Sequence, residues 1–262
     1  MAIEAVTIIL MLIGTTNFAV LLLLARKKIK QALKVSEVRF MFLLILIISP
    51  IVAASLFFKL YMNMGESIRA ALFNVVSALS TTGYSTMSYS EWPVFSTGIL
   101  ILLMLIGGGI GSTAGGIKMT RVYLMIRVGK ENIRKRLSSP RTVNHPYYYR
   151  AQGKTYIDKD LESDTVGFIA CYLTIFTVGS LLITLTAGCP LSDAMFEFAS
   201  SLGTVGLSIG VTGPATNAAT LIVEIIGMMM GRLEIFIIII GVYSGFSSVK
   251  KYLKKSGSDC SH

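Results

Sequence analysis

Two short stretches, Thr81-Thr82-Gly83-Tyr84-Ser85 and Thr204-Val205-Gly206-Leu207-Ser208, lie 123 residues apart and share a Thr-x-Gly-x-Ser frame. The likeness extends upstream. Phe73 matches Phe196, Ser77 matches Ser200 and Leu79 matches Leu202, so six of thirteen consecutive positions are identical without a gap. Each loop follows a helical-looking stretch of ten or so residues (69–79 and 192–202), and an apolar run flanks each connection on both sides. The unit is therefore a spanning helix, a half helix, a loop and a spanning helix, present twice. Repeated units of this kind place a shared site on their pseudo-symmetry axis.

Five apolar runs carry the rest of the chain: 5–25, 38–61 (with Pro50), 94–123, 166–187 and 218–246. Mean hydropathy is +0.69. Charged residues make up 15% of the 262, against roughly 25% in soluble proteins. These runs exclude a single soluble domain and predict an all-α polytopic membrane protein. The net charge is +10, and 20 of the 24 Lys and Arg fall in three blocks, 26–39, 121–159 and 250–255. Each block abuts an apolar run, which argues for basic cytoplasmic loops in a plasma membrane and against a nucleic-acid partner. The first run is followed, not preceded, by its basic residues, unlike a signal peptide. It belongs to neither copy and reads as the last helix of a preceding one. The connections 66–91 and 191–212 are too short for two further crossings and read as re-entrant. Backbone of that kind at membrane depth is tolerated where it is buried in protein or lines a water-filled path.

The loops carry the chemistry. Potassium channels build their filter from TVGYG segments whose carbonyl oxygens replace the ion's hydration shell. Thr81, Thr82, Gly83 and Tyr84, and Thr204, Val205, Gly206 and Leu207, lie close to that pattern. The preceding half helix turns its partly negative C-terminal end toward the loop, which favours a cation. The competing reading is a pair of polar turns, and the repeat weighs against it. Ser85 and Ser208 stand where a potassium channel has its second glycine, which predicts fewer ion sites and weaker selectivity. Any ion is held by filter backbone alone, and the sequence offers no cofactor motif.

The third run is interrupted by Gly107, Gly108, Gly109, Gly111, Gly115 and Gly116, with Ser112 and Thr113 among them. Six glycines in ten residues are too many for a stable helix interior. Close helix packing at four-residue spacing is the alternative. Arg232 lies in the last apolar run near Glu224 and Glu234. An ionisable group at that depth is a functional candidate, either as a carboxylate's partner or as a positive barrier facing the pore. Lys118 is expected to reach the cytoplasmic interface. Glu66, Glu91, Asp193 and Glu197 are expected around the filter entrances, and Tyr89 and Trp92 in the interfacial belt. Cys171, Cys189 and Cys260 have no metal or disulfide spacing, and His145 and His262 lie near polar ends, so an enzyme is not indicated.

The stretch 80–85, Glu91-Trp92-Pro93, the glycine segment 107–118 and Gly231-Arg232-Leu233-Glu234 together resemble the membrane subunit of the Trk/Ktr superfamily of potassium transporters. The resemblance covers nearly the whole chain. It implies membrane-pore-membrane repeats, four to a polypeptide, of which this chain looks like the third and fourth plus the last helix of the second. The implied layout is 1–36, last helix of a preceding repeat and basic loop; 37–127, first repeat; 128–162, cytoplasmic loop; 163–249, second repeat; 250–262, basic tail. By the same resemblance the ion is K⁺, with Na⁺ and Rb⁺ as alternatives, and the eight filter residues supply half of a filter. The glycine segment is the intramembrane gating loop, and Arg232 is a pore-barrier charge beside it. The implied partners are an N-terminal half or a second copy completing four loops, a homodimer mate, membrane lipid and a cytosolic nucleotide-binding regulatory ring. A non-conducting scaffold or accessory subunit remains the rival function.

Overall fold

The computed structural model describes residues 2–60, 63–137, 146–232, 240, 241 and 244. Its helices are α1 (Ala2–Thr15), α2 (Phe18–Ala25), α3 (Ile29–Ala32), α4 (Ser36–Leu60), α5 (Met64–Leu79), α6 (Val94–Ile106) and α7 (Met119–Leu137). A hairpin of β1 (Tyr147–Arg150) and β2 (Gly153–Tyr156) follows, then α8 (Lys159–Ala187), α9 (Leu191–Leu202) and α10 (Ala218–Arg232). Glu234, both histidines and the tail 250–262 lie outside the described residues.

Two helices, α4 and α8, are each long and apolar enough to cross a membrane. Their outer faces are undisguised, with Leu46 75% and Leu185 80% exposed, whereas Val52, Leu56, Phe176 and Ile183 face the core. The half helices α5 and α9 lie at the centre, buried almost continuously from Ala70 to Leu79 and from Phe196 to Leu202. Neither has an exposed residue along that length. A polar loop can therefore follow each of them without stranding its backbone in hydrocarbon. Phe198 of α9 drives between its neighbours, and Gly179 of α8 and Gly227 of α10 make the room.

Three expectations are corrected. Residues 5–25 do not form one crossing helix, because α1 and α2 meet at a bend of 113°. Asn17 caps the new helix, its Oδ1 accepting from the Ala19 amide at 2.9 Å. The carbonyls freed at the bend are taken by a distant segment: Gly109 N–H donates to Thr15 O at 3.0 Å and Thr113 Oγ1 to Gly14 O at 3.1 Å. Second, the loop 128–162, whose start the sequence leaves open to a short amphipathic helix, also holds a β-hairpin. Helix α7 runs to Leu137 and the antiparallel β-hairpin pairs Tyr147 with Tyr156. Tyr148 packs inward on Leu124, Val128 and Ile157, and burial pushes its hydroxyl pKa up. The Tyr149 amide donates to Ser36 Oγ at 3.0 Å, which seats the hairpin on the start of α4. Third, Tyr89 and Trp92 are core residues, 2% and 5% exposed. Tyr89 can enter the core because its hydroxyl donates to Asn74 Oδ1 at 2.6 Å.

That last bond gives a direct check. Tyr89→Phe leaves a buried acceptor without its donor, at a cost of about 1–3 kcal/mol. The detergent-solubilised protein is expected to melt at a lower temperature, and an unchanged Tm would count against this contact.

Candidate functional site

The two Thr-x-Gly loops have the same backbone. Ser80 caps the C-terminus of α5 and Gly203 that of α9, both in ordinary helical geometry. The next residue in each case swings to positive φ, 54° at Thr81 and 51° at Thr204, and the glycine two residues on does so again, 81° at Gly83 and 96° at Gly206. A β-branched residue at positive φ is a genuine outlier, held only where its surroundings over-determine it. Those surroundings are copied too. Thr81 N donates to Ala78 O and Thr204 N to Ser201 O; Thr82 N donates to Ser77 O and Val205 N to Ser200 O. Every partner keeps the offset of 123. The loops also touch: a Cβ on Gly83 would collide with the Val205 carbonyl oxygen.

The limb leaving each loop is tied back to its half helix by one side chain at equivalent positions, Asn74 and Glu197. Asn74 Nδ2 donates to Thr86 Oγ1 at 3.2 Å. Glu197 Oε1 accepts from Ser208 Oγ at 2.5 Å, Val211 N at 3.0 Å and Thr212 N at 3.3 Å. Glu197 is 3% exposed, so it is not the entrance acid expected from its place in the sequence. Asp193 accepts from the adjacent Ser192 Oγ at 3.0 Å, while Glu66 and Glu91 are exposed. Glu224 accepts from Thr212 Oγ1 at 2.5 Å and is buried.

The glycine segment breaks the third run as expected, between α6 and α7. It folds back on α6, with Ile117 N donating to Leu105 O and Met119 N to Gly108 O. A Cβ on Gly107 would collide with the Gly115 carbonyl oxygen. Gly115 lies between the two Thr-x-Gly loops. Its amide donates to Thr81 Oγ1 at 2.9 Å, and a Cβ there would meet Gly203 O and Thr204 Oγ1. Ser112 Oγ closes the turn onto Gly109 O at 2.7 Å.

Two cations hold the segment's carbonyls. Arg232 Nη1 donates to Thr113 O at 2.8 Å and Lys118 Nζ to Ala114 O at 2.5 Å. Lys118 thus turns inward, where the sequence had it reaching the cytoplasmic interface. Among the described residues, the contact that Arg232 makes is with the loop; Glu234, one of its two candidate carboxylate partners, lies outside them. The same side chain flanks a cavity of about 690 Å³ that also touches Thr204, Gly206, Glu197 and Glu224.

One cluster escaped the sequence reading. Glu37, at the start of α4, is buried and accepts from Thr120 Oγ1 of α7. A Cβ on Gly109 would stand 3.1 Å from Glu37 Oε2. Glu37, Gly111, Asn17 and Arg150 of the hairpin line a cavity of about 280 Å³. An acid in the first turn of a helix is ordinarily a macrodipole partner, so its sequence position gave no sign of these contacts.

Comparison with known proteins agrees with this architecture. The model of the TrkH cation transport protein family matches residues 1–248. The chain is 30% identical over 187 residues to the Trk system potassium uptake protein TrkH of Escherichia coli K12, covering 70% of this chain and 38% of that protein. It is 29% identical over 239 residues to the Trk system potassium uptake protein TrkG of the same strain, covering 90% and 48%. The crystal structure of the potassium transporter TrkH from Vibrio parahaemolyticus superposes with a TM-score of 0.78 at 26% identity, covering 91% of this chain and 51% of that one. The chain thus spans about half the length of the relatives it matches.

Proposed function

Since the chain belongs to the TrkH family of cation transport proteins, we propose that it forms half of a potassium pathway across a cell membrane, contributing two filter loops of a ring of four. The observation that carries this reading is the duplicated loop: the same pair of positive-φ residues, on the same hydrogen bonds, at the C-terminal ends of two buried half helices. Consecutive carbonyls in such a loop can stand in for water around K⁺. The half-helix ends add partial negative charge. Thr81 to Tyr84 and Thr204 to Leu207 supply the carbonyls. Na⁺ and Rb⁺ are the ions to test beside K⁺.

The segment 107–116 acts as the gate. It abuts both filter loops through Gly115, and its own carbonyls are restrained by Arg232 and Lys118. The other two loops come from a second copy or from a separate polypeptide segment. A homodimer and a cytosolic nucleotide-binding ring on the basic face complete the assembly.

The test is potassium uptake by potassium-starved, uptake-deficient cells. The chain is expressed alone and beside a segment carrying the first two repeats of a TrkH relative. Uptake in either arm supports conduction, and the arm that works tells whether two copies suffice. No uptake in both arms, with the protein present in the membrane, would favour a non-conducting accessory role.

A further inference from the structure

The two repeats use different chemistry for one mechanical task, and the difference points beyond geometry. In the first, the departing limb is tied down by a neutral side chain, Asn74. In the second, the equivalent residue is Glu197, whose Oε1 alone accepts three hydrogen bonds. The amides of Val211 and Thr212 belong to an irregular segment and need an acceptor from outside it. A carboxylate oxygen makes the stronger, charge-assisted bonds. Yet burying a carboxylate is costly unless a charge answers it. The donors to Glu197 among the described residues are one hydroxyl and two amides, all neutral. Asn74 shows that the tie itself does not require an anion. The charge at position 197 therefore calls for a separate function, and Ser208, which it holds, is two residues beyond Gly206.

We infer that Glu197 is the positioning residue of the second filter loop, and that its negative charge, bound directly to the loop's exit limb, strengthens cation binding there relative to the first loop. A cation in the filter is then a direct counter-charge to the buried carboxylate, in addition to Arg232, which flanks the same cavity. This inference rests on the potassium-pathway reading above.

The experiment uses the active arrangement from the uptake assay, with Glu197→Gln and Glu197→Ala. Glutamine keeps the oxygen acceptor and removes the charge. It is expected to raise the KM for K⁺ roughly three- to tenfold, with the maximal rate and K⁺/Na⁺ preference within about twofold of the parent. Alanine removes the tie as well and is expected to lose K⁺/Na⁺ preference. A parent-like KM in Glu197→Gln overturns the inference, as does retained preference and KM in Glu197→Ala. If alanine prevents insertion, Glu197→Gln alone decides. A purely structural role would lower the amount of protein in the membrane in step with the rate and leave KM unmoved. Failure of the potassium reading is seen separately, as no uptake by the unsubstituted protein, and the inference falls with it.

Discussion

Gly83→Ala is expected to abolish potassium uptake, whereas Gly206→Ala is expected to leave a working protein with poorer K⁺/Na⁺ discrimination. In the sequence the two glycines are equivalent. In the structure they differ in what stands beside them. Both have positive φ, 81° and 96°, and an L-residue forced into that region costs on the order of 1–2 kcal/mol. At Gly206 nothing among the described residues lies within 4 Å of an added Cβ, so among them this strain stands alone. At Gly83 the Cβ would overlap the Val205 carbonyl oxygen, and it would approach Gly206 C to 3.2 Å. Those are backbone atoms of the other Thr-x-Gly loop and have no rotamer to escape into. Either the two loops separate or the Val205 carbonyl turns away, and both disrupt the carbonyls proposed to hold the ion. Uptake in the presence of competing Na⁺ measures both variants, normalised to protein in the membrane. Equal effects of the two substitutions would mean that the loops do not meet at Gly83.

That asymmetry marks the boundary of what the sequence discloses. The repeat was legible because identities at one fixed offset survive at the turns themselves, in Gly83 and Gly206, which the positive φ favours, and in Thr81 and Thr204 beside them. The half helices and the glycine break were legible for a local reason, apolar periodicity ending in turn residues. The bend between α1 and α2 was hidden inside a continuous apolar run. Its cause lies about a hundred residues away, in the donors of Gly109 and Thr113 that occupy the carbonyls of Thr15 and Gly14. Tyr89 and Trp92 sit near the outer ends of apolar runs, where aromatic rings ordinarily form a belt. For Tyr89, the Asn74 acceptor and the Phe196 ring, 5.2 Å away, make burial favourable. Glu197 fails in the same manner, its donors arriving eleven to fifteen residues later. The hairpin Tyr147–Arg150 with Gly153–Tyr156 lacks alternation because three consecutive tyrosines mask which one points inward. In each case composition assigned the environment, and a few tertiary partners reversed it.

The second large effect concerns Arg232, and its sign is opposite. Arg232→Ala is expected to raise K⁺ flux about tenfold or more, in uptake and in efflux alike. The guanidinium donates to Thr113 O at 2.8 Å, and a hydrogen bond to a charged group contributes about 1.5–3 kcal/mol. Each 1.4 kcal/mol or so is a factor of ten in a population. Losing this bond therefore favours the displaced loop by at least that factor. Thr113 itself keeps a second tie, Oγ1 to Gly14 O, and other points of the segment are held by Gly109 N to Thr15 O, Gly115 N to Thr81 Oγ1, and Lys118 Nζ to Ala114 O. The loop would loosen near Thr113 without detaching entirely. Removing a positive charge from the wall of the cavity that reaches Thr204 and Gly206 also lowers the barrier to a cation. Arg232→Lys separates the two contributions. It keeps the charge but replaces a planar fork with a compact ammonium on a different stem, and its flux is expected to fall between the parent and the alanine variant. A reduced rate in Arg232→Ala, with normal insertion, would instead make the arginine a support for the pore. The gating role of residues 107–116 would then lose its main electrostatic argument.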